Sequence, residues 1–363
     1  MVGGLQRRRV LVTGGGGFIG GRLVERLLLE EGAVVRALVH SPAGAVWLSR
    51  TRAELVPGDI TQPDSLSAAL AGGEVVFHCA ALLGGEAERM HQVNVAGTAN
   101  LLAAARQAGV ARFVHVSSMA VLGRRFPDGA DETTPPRPGA DPYARTKLAA
   151  EELVRAAHRE HGLPTVILRP TIVYGPRSQW WTVDPIQRLK QGRLALPGRG
   201  DGVANVVYVD DVVNALLLAA TVPDIEGETF LISGEERVRW RDFYGAYARM
   251  LGRRVPTWPL PLAWAVTGLT QALDRAIARL RGNRRPIAGA RLLLLVGLRA
   301  GRKVAGSLYK LGRWEMAMYR SRAQISVARA RERLGYRSAW PLARAMAETE
   351  RWLRVQGYLP EAS

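Results

Sequence analysis

The sequence predicts an α/β protein: a doubly wound parallel sheet with a smaller, mostly helical C-terminal domain. Three observations predict it. Short apolar runs alternate with helical patterns up to about residue 220. A glycine-rich turn at residues 13–20 (Thr-Gly-Gly-Gly-Gly-Phe-Ile-Gly) follows the first run. After Tyr174-Gly175-Pro176 the alternation becomes irregular. Strand and helix in alternation require parallel strands, and right-handed crossovers put helices on both faces.

Taken in order, residues 10–13, 34–39, 75–78, 113–117, 165–169 and 206–209 read as strands, because each is a short apolar run. Residues 20–31, 93–108 and 142–161 between them read as helices. Residues 127–142, rich in Pro, Gly and Asp, read as a surface loop. Residues 183–191 look helical, 228–232 extended and 240–251 helical again. The remainder is helical and basic, broken by Pro256, Pro259, Pro261, Pro286 and Pro341. The expected division is 1–175 with 203–222 for the sheet domain. Residues 176–202 with 223–363 form the second, substrate domain, which carries a basic, apolar helical insertion at about 256–320.

Hydrophobic content of 47% and charged content of 23% over 363 residues suit an ordinary globular chain. The one cysteine, Cys79, excludes an intramolecular disulfide and leaves no cysteine framework for a zinc site, so no metal is expected. A lone Cys within an apolar run reads as a small buried residue, and a reducing cytoplasm fits. The net charge of +18 is unevenly placed. Residues 1–236 carry 24 basic and 25 acidic residues, whereas residues 237–363 carry 26 and 7. The cationic rear implies an anionic surface as partner. Basic residues there are interleaved with aliphatics rather than stacking aromatics, which argues against nucleic acid. Arg7-Arg8-Arg9 mimics the start of a signal peptide, but Val10-Leu11-Val12 is too short for its apolar core of about 7–15 residues. No stretch reaches the roughly 18 apolar residues of a spanning helix.

Gly14, Gly17 and Gly20 are spaced G-x-x-G-x-x-G where a strand turns into a helix. Glycine lets backbone approach a pyrophosphate, and the helix N-terminus, which follows Phe18 and Ile19, directs N–H groups at its charge; these two residues join the cofactor site. This predicts a dinucleotide site on a Rossmann fold. An acid at the end of the second strand would hold the ribose 2′-hydroxyl of NAD, but Leu38-Val39-His40-Ser41 has none. Arg36 and His40 share a strand face and favour a 2′-phosphate, hence NADP(H) over NAD(H). Asp59, followed by Ile60, is placed to accept from the adenine amino group; a turn-forming Asp is the alternative.

Tyr143 and Lys147 stand four apart on a predicted helix and share a face; Ser118 ends an apolar run upstream. A nearby ammonium lowers the pKa of a phenol. Tyr143 would then exchange a proton with a substrate oxygen while hydride moves at the nicotinamide, with Lys147 assisting and Ser118 hydrogen-bonding the reacting oxygen.

At these residues the chain resembles the extended short-chain dehydrogenases/reductases, of the NAD-dependent epimerase/dehydratase and 3β-hydroxysteroid dehydrogenase type. Further matching pieces are Gly58-Asp59-Ile60, His78-Cys79-Ala80-Ala81, Asn94-Val95-Ala96-Gly97-Thr98, Leu168-Arg169-Pro170-Thr171 and Tyr208-Val209-Asp210-Asp211-Val212. The resemblance implies Ser118, Tyr143 and Lys147 as catalytic residues, with Asn94 supporting the site. It implies Ala80, Pro170 and Ile172 along the cofactor, and a homodimer. Two departures narrow the activity. Dehydratases of this type carry Thr-Asp-Glu near the serine, where this chain has Ser118-Met119-Ala120. Sugar-nucleotide epimerases place an arginine ahead of the Tyr-Val-Asp-Asp motif, where this chain has Ala204-Asn205-Val206. Trp180-Trp181 would line the mouth of an apolar substrate cleft. The expectation is therefore an NAD(P)(H)-dependent oxidoreductase acting on a secondary alcohol or ketone of a bulky apolar, sterol-, isoprenoid- or polyketide-like molecule; the alternative is a sugar or sugar-nucleotide epimerase/reductase. The insertion, with Arg275, Arg279 and Arg281 beside Leu273, Ile277 and Leu280, suits docking of a cytoplasmic protein on an anionic membrane or a helical cap on the enzyme.

Overall fold

The computed structural model describes residues 4–41, 46–265, 268, 272 and 313–360. The chain divides into two compact units. The first contains Met1–Ser178, Asn205–Glu236 and Gln324–Ala345; the second contains Gln179–Ala204, Arg237–Ala323 and Met346–Ser363.

In the first unit the strands are β1 (Arg9–Thr13), β2 (Val34–Val39), β3 (Glu54–Pro57), β4 (Val75–His78), β5 (Arg112–Val116), β6 (Thr165–Pro170) and β10 (Thr229–Ile232). They form one parallel sheet in the order β10-β6-β5-β4-β1-β2-β3; β7 (Ile172–Tyr174), β8 (Leu196–Pro197) and β9 (Val206–Tyr208) are not part of it. The period-two alternation of each strand sorts its side chains to two faces. On one face Val10, Val12, Val35, Ala37, Val75 and Phe77 pack with Leu23, Val24 and Leu27 of α1 (Phe18–Leu29). Val212, Val213 and Leu216 from the helix at Val209–Thr221 join them. On the other, Leu11, Leu38, Val76 and Phe113 pack with Leu66 and Leu70 of α2 (Leu66–Leu70) and with Val154 of the long helix Pro142–His161. Chain order reverses between β1 and β4, and such a switch point opens a crevice at the carboxyl ends of the strands.

Three sequence expectations are corrected here. Glu54–Pro57 is a strand that was not counted, because the run ends in proline and carries an acid. Val206–Tyr208 leaves the main sheet and pairs in parallel with Ile172–Tyr174; a helix begins at Val209. Residues 223–236, expected in the second domain, lie in the first unit, since β10 is an edge strand beside β6. The two acids of the Tyr-Val-Asp-Asp motif are structural ties. Asp210 receives both Nε and Nη2 of Arg22 at 2.5 and 3.1 Å, and Asp211 accepts from Ser338 Oγ and Ala339 N at 2.7 and 2.8 Å.

The second unit is built on aromatics. Trp240, at the start of the helix Trp240–Met250, is fully buried. It packs on Phe243, Tyr244, Tyr319 and Trp181 at centroid separations of 4.9 to 6.2 Å. Trp181 therefore belongs to this core, while Trp180 is exposed. Leu196–Pro197 and Thr257–Trp258 form a short parallel pair. Most of the expected insertion at 256–320, including Arg275, Ile277 and Arg279, lies outside the described residues. Among the described residues no helix is long and apolar enough to cross a membrane, and no cluster of ligands for a metal ion occurs.

Candidate active site

The site is carried by the carboxyl ends of β1, β4 and β5 and by the helix Pro142–His161, α5, which follows α3 (Ala87–His91) and α4 (Gly97–Gln107). Asp141 caps α5, accepting from Tyr143 N and Ala144 N at 3.0 and 3.4 Å; Pro142 takes the first helical position, where its missing N–H costs nothing. These two residues fix the first turn, and Tyr143 sits in it. One turn on, Lys147 is 2% exposed and donates from Nζ to the Val116 carbonyl at 2.6 Å, which anchors α5 to the end of β5. Ser118 lies two residues past that strand and caps a short 3₁₀ turn, Met119–Leu122, its Oγ accepting from Ala120 N at 3.2 Å.

Burial dominates the electrostatics. It pushes Tyr143 up to about 12; a side-chain hydrogen bond with Ser118 draws it down and the Asp141 charge pushes it further up. The expectation of a phenol acidified by Lys147 is corrected: desolvation wins, and Tyr143 keeps its proton at neutral pH in the protein alone. Burial also lowers Lys147 to about 8, against the opposing pull of Glu151 and then Cys79. Cys79 is partly exposed rather than fully buried, and desolvation pushes its thiol up to about 12, so it is inert at neutral pH.

Asn94 holds the chain that leaves β4. Its Nδ2 donates to Leu82 O at 2.9 Å and to Thr146 Oγ1 at 3.0 Å, and its Oδ1 accepts from Leu82 N at 2.7 Å. These bonds tie residue 82 to α5 through Asn94. The sequence reading missed the charges behind the site. Glu151, fully buried one turn beyond Lys147, takes Arg169 Nε and Nη2 at 2.8 and 2.7 Å, Arg155 Nη2 at 2.7 Å and Ser117 Oγ at 2.5 Å. The continued spacing Tyr143, Lys147, Glu151, Arg155 was the available signal. His78 was missed too. It bridges Thr13 Oγ1 and Thr98 Oγ1 at 2.8 and 2.9 Å, and burial lowers it to about 3, so it serves as a neutral strut.

The glycine turn fits a dinucleotide pyrophosphate. Gly14 has φ 69°, and a Cβ there would stand 2.8 Å from Ala80 N at the end of β4. A Cβ on Gly20 would stand 2.4 Å from Gly14 O. Only hydrogen fits at either place, so the turn can lie against the sheet. Gly17 is the exposed N-cap of α1, with no side-chain cap on the helix N–H groups. Ala80 is thereby set beside the turn, its N–H donating to Thr13 Oγ1 at 3.3 Å. Ile60 is buried in the layer of α2, its carbonyl accepting from Asn100 Nδ2 at 3.0 Å. Pro170 closes β6, and Ile172 opens the strand beyond it.

The second-strand residues fare differently. Arg36 Nε donates to Glu54 Oε2 at 2.7 Å and Nη1 to Ala71 O at 2.6 Å. Its guanidinium serves the carboxyl end of α2 and is spent before the strand ends. Arg36 stands three positions before Val39, the last residue of β2, and His40 lies beyond the strand. His40 is exposed at the strand end. Asp59 Oδ1 closes a turn on Thr61 N and Oγ1 at 2.8 and 2.9 Å, the alternative weighed from sequence.

Residues 10–233 match the model of the NAD dependent epimerase/dehydratase family. The chain belongs to this family. It is accordingly a nicotinamide-dependent oxidoreductase. Among its relatives, the 3β-hydroxysteroid dehydrogenase/Δ5→4-isomerase of Mycobacterium tuberculosis is 34% identical over 279 residues, 72% of this chain and 75% of that one. A 4-hydroxy-2-methyl-3-oxo-4-farnesyl-3,4-dihydroquinoline-1-oxide ketoreductase of Stigmatella aurantiaca is 33% identical over 303 residues, 82% of this chain and 87% of that one. Among solved structures, MoeE5 with UDP-glucuronic acid and NAD has a TM-score of 0.70 at 26% identity, covering 96% of this chain and 99% of its own. The UDP-glucose 4-epimerase of Thermotoga maritima, at 24% identity and a TM-score of 0.72 over 96% and 99%, shares the fold. For this family member, then, the doubly wound sheet, the nicotinamide cofactor and the enzyme class stand together.

Proposed function

We propose that the protein is an NAD(P)(H)-dependent dehydrogenase/reductase that interconverts a secondary alcohol and a ketone on a bulky apolar molecule. The observation that carries this reading is Tyr143: a half-buried phenol in the first turn of α5, hydrogen-bonded with Ser118 and one helical turn from buried Lys147. Gly14, Gly17, Phe18, Ile19 and Gly20 would hold the cofactor pyrophosphate, Asp59 and Ile60 the adenine side, and Ala80, Pro170 and Ile172 the remainder. The bound nicotinamide supplies or takes up the hydride. Tyr143, protonated at neutral pH, would give its proton to a ketone oxygen; in reverse its phenolate would take the proton of an alcohol. Ser118 holds that oxygen, and Lys147 brings positive charge to it. Asn94 keeps residue 82 and the chain around it in place.

The apolar substrate class is supported by relatives named for a hydroxysteroid, a farnesylated dihydroquinoline oxide and 2-alkyl-3-oxoalkanoates. It is also supported by Ala204, which leaves the second unit without a cation where sugar-nucleotide enzymes of this type carry one. The second reading, a sugar-nucleotide epimerase/reductase, is favoured by the likeness to MoeE5. NADP(H) preference rests on the acid-free end of β2 and on His40, since Arg36 is engaged elsewhere. The basic stretch around Arg275 would bring the enzyme to an anionic membrane surface.

One panel tests these points: oxidation of NADPH and of NADH with sterol-like, isoprenoid and 3-oxoacyl ketones, beside NAD with UDP-glucose and UDP-glucuronic acid. Turnover of an apolar ketone with NADPH ahead of NADH is expected. Turnover of the UDP-sugars alone would overturn the apolar assignment.

A further inference from the structure

The second unit carries a basic groove that the chemistry above does not use. Its wall holds Arg199, Arg237, Arg239, Arg241 and Arg322 with Asp201 and Val203, and its volume is about 500 Å³. Three backbone segments are tied together beneath it. Val203 N donates to Ser321 O at 2.7 Å, Ala204 N to Val238 O at 2.8 Å, Trp240 N to Gly202 O at 3.0 Å and Arg241 N to Gly200 O at 3.1 Å. Val203 and Arg239 also form an antiparallel bridge. The pattern Arg237-Val238-Arg239-Trp240 alternates by two: Val238 and Trp240 are buried while Arg237 and Arg239 are exposed. Period two therefore sends these arginines to the open side of a strut whose other side is locked in the aromatic core.

The charges do not balance. Asp201 Oδ1 takes Arg241 Nη1 at 2.6 Å and lies 3.7 Å from Arg239 Nη1. Arg237 Nη2 donates to the Arg322 carbonyl at 3.0 Å, which brings the two arginines to one edge. Asp242 Oδ1 lies 3.8 Å from Arg241 Nε, so five guanidiniums face two carboxylates on a backbone that cannot spread to relieve them. Guanidinium forks match phosphate oxygens bidentately, and the wall offers several around one groove. The first backbone N–H groups of the helix Trp240–Met250 bond to Gly202, Gly200 and Arg239 carbonyls, so recognition falls to the side chains.

We propose that this groove, which uses none of the residues assigned to catalysis, is a binding site for a soluble, multiply charged phosphate ligand of the diphosphate class. A half-open groove, rather than a flat basic face, favours a small molecule over a membrane.

The test is calorimetric titration of the full-length protein with inorganic pyrophosphate in low salt, with NADH saturating so that the glycine turn is filled. Wild type is expected to bind one pyrophosphate. The triple variant R199Q/R239Q/R322Q is expected to bind at least tenfold more weakly, with NADH affinity unchanged. Should that variant not fold, the single variants R199Q and R322Q carry the test, each expected to weaken binding severalfold. In a second arm, both proteins are sedimented with phosphatidylglycerol–phosphatidylcholine vesicles. Absence of pyrophosphate binding to wild type would overturn the proposal. So would undiminished binding in the folded variants, or vesicle binding lost in the variants without any pyrophosphate binding.

Discussion

Lys147 shows how far a residue's identity can be separated from its state. Its place four residues after Tyr143 was legible, because helix geometry alone puts both on one face. Its charge was not, because burial depends on what packs over α5. Buried, it titrates near 8 instead of its ordinary 10.5. The ammonium is complete below about 8 and is lost as pH rises through that value. Turnover that needs the cation is therefore expected to fall above about pH 8, and the Lys147→Met variant should lose that limb along with most of its activity. The linkage to stability runs the other way. Between about 8 and 10.5 the unfolded chain holds the extra proton, so stability should rise with pH across that window in wild type and not in the variant. Urea titrations at several pH values measure this. Arg36 carries the same lesson: its strand face was readable, but its partners, Glu54 and the carbonyl end of α2, come from segments far along the chain.

At the scale of elements, boundaries read from capping chemistry were the most legible. Residues 142–161 were predicted as a helix and are a helix, since Asp141, Pro142 and Gly162 punctuate both ends. The first glycine turn was legible for the same reason. Glu54–Pro57 and Val206–Tyr208 were not, because edge strands and short pairs are fixed by partners rather than by local pattern. Two changes test the elements that place the chemistry. Asp141→Ala removes the cap of α5 and is expected to cost about 0.5–2 kcal/mol in denaturant unfolding. Because Tyr143 N is one of the groups it leaves unpaired, kcat should fall as well, with cofactor affinity kept. Gly20→Ala drives a methyl into the Gly14 carbonyl and should weaken NADH binding at least tenfold by fluorescence titration while α5 and its residues stay intact. Unaltered NADH affinity in that variant would show that the turn does not carry the pyrophosphate.

For the molecule as a whole, sequence gave the fold class and the order of strands and helices, because alternation and handed crossovers leave few topologies. It gave less of the division into units. β10 and residues 324–345 return to the first unit from late in the chain. The buried Glu151–Arg169 pair, 18 residues apart in sequence, also depends on long-range packing. Charge segregation belongs to this scale too. Residues 237–363 hold 26 basic and 7 acidic residues. If the basic stretch around Arg275 meets a membrane, sedimentation with phosphatidylglycerol vesicles should be strong in low salt and largely lost at about 0.5 M, where screening falls to a few ångströms. Equal sedimentation with and without vesicles would remove that role. The central claim concerns one phenol, and steady-state turnover of Tyr143→Phe, measured beside its NADH and NADPH affinities, tests it most directly. The account predicts cofactor binding like wild type with kcat reduced by roughly a thousandfold or more, whereas a variant that turns over near the wild-type rate would contradict it.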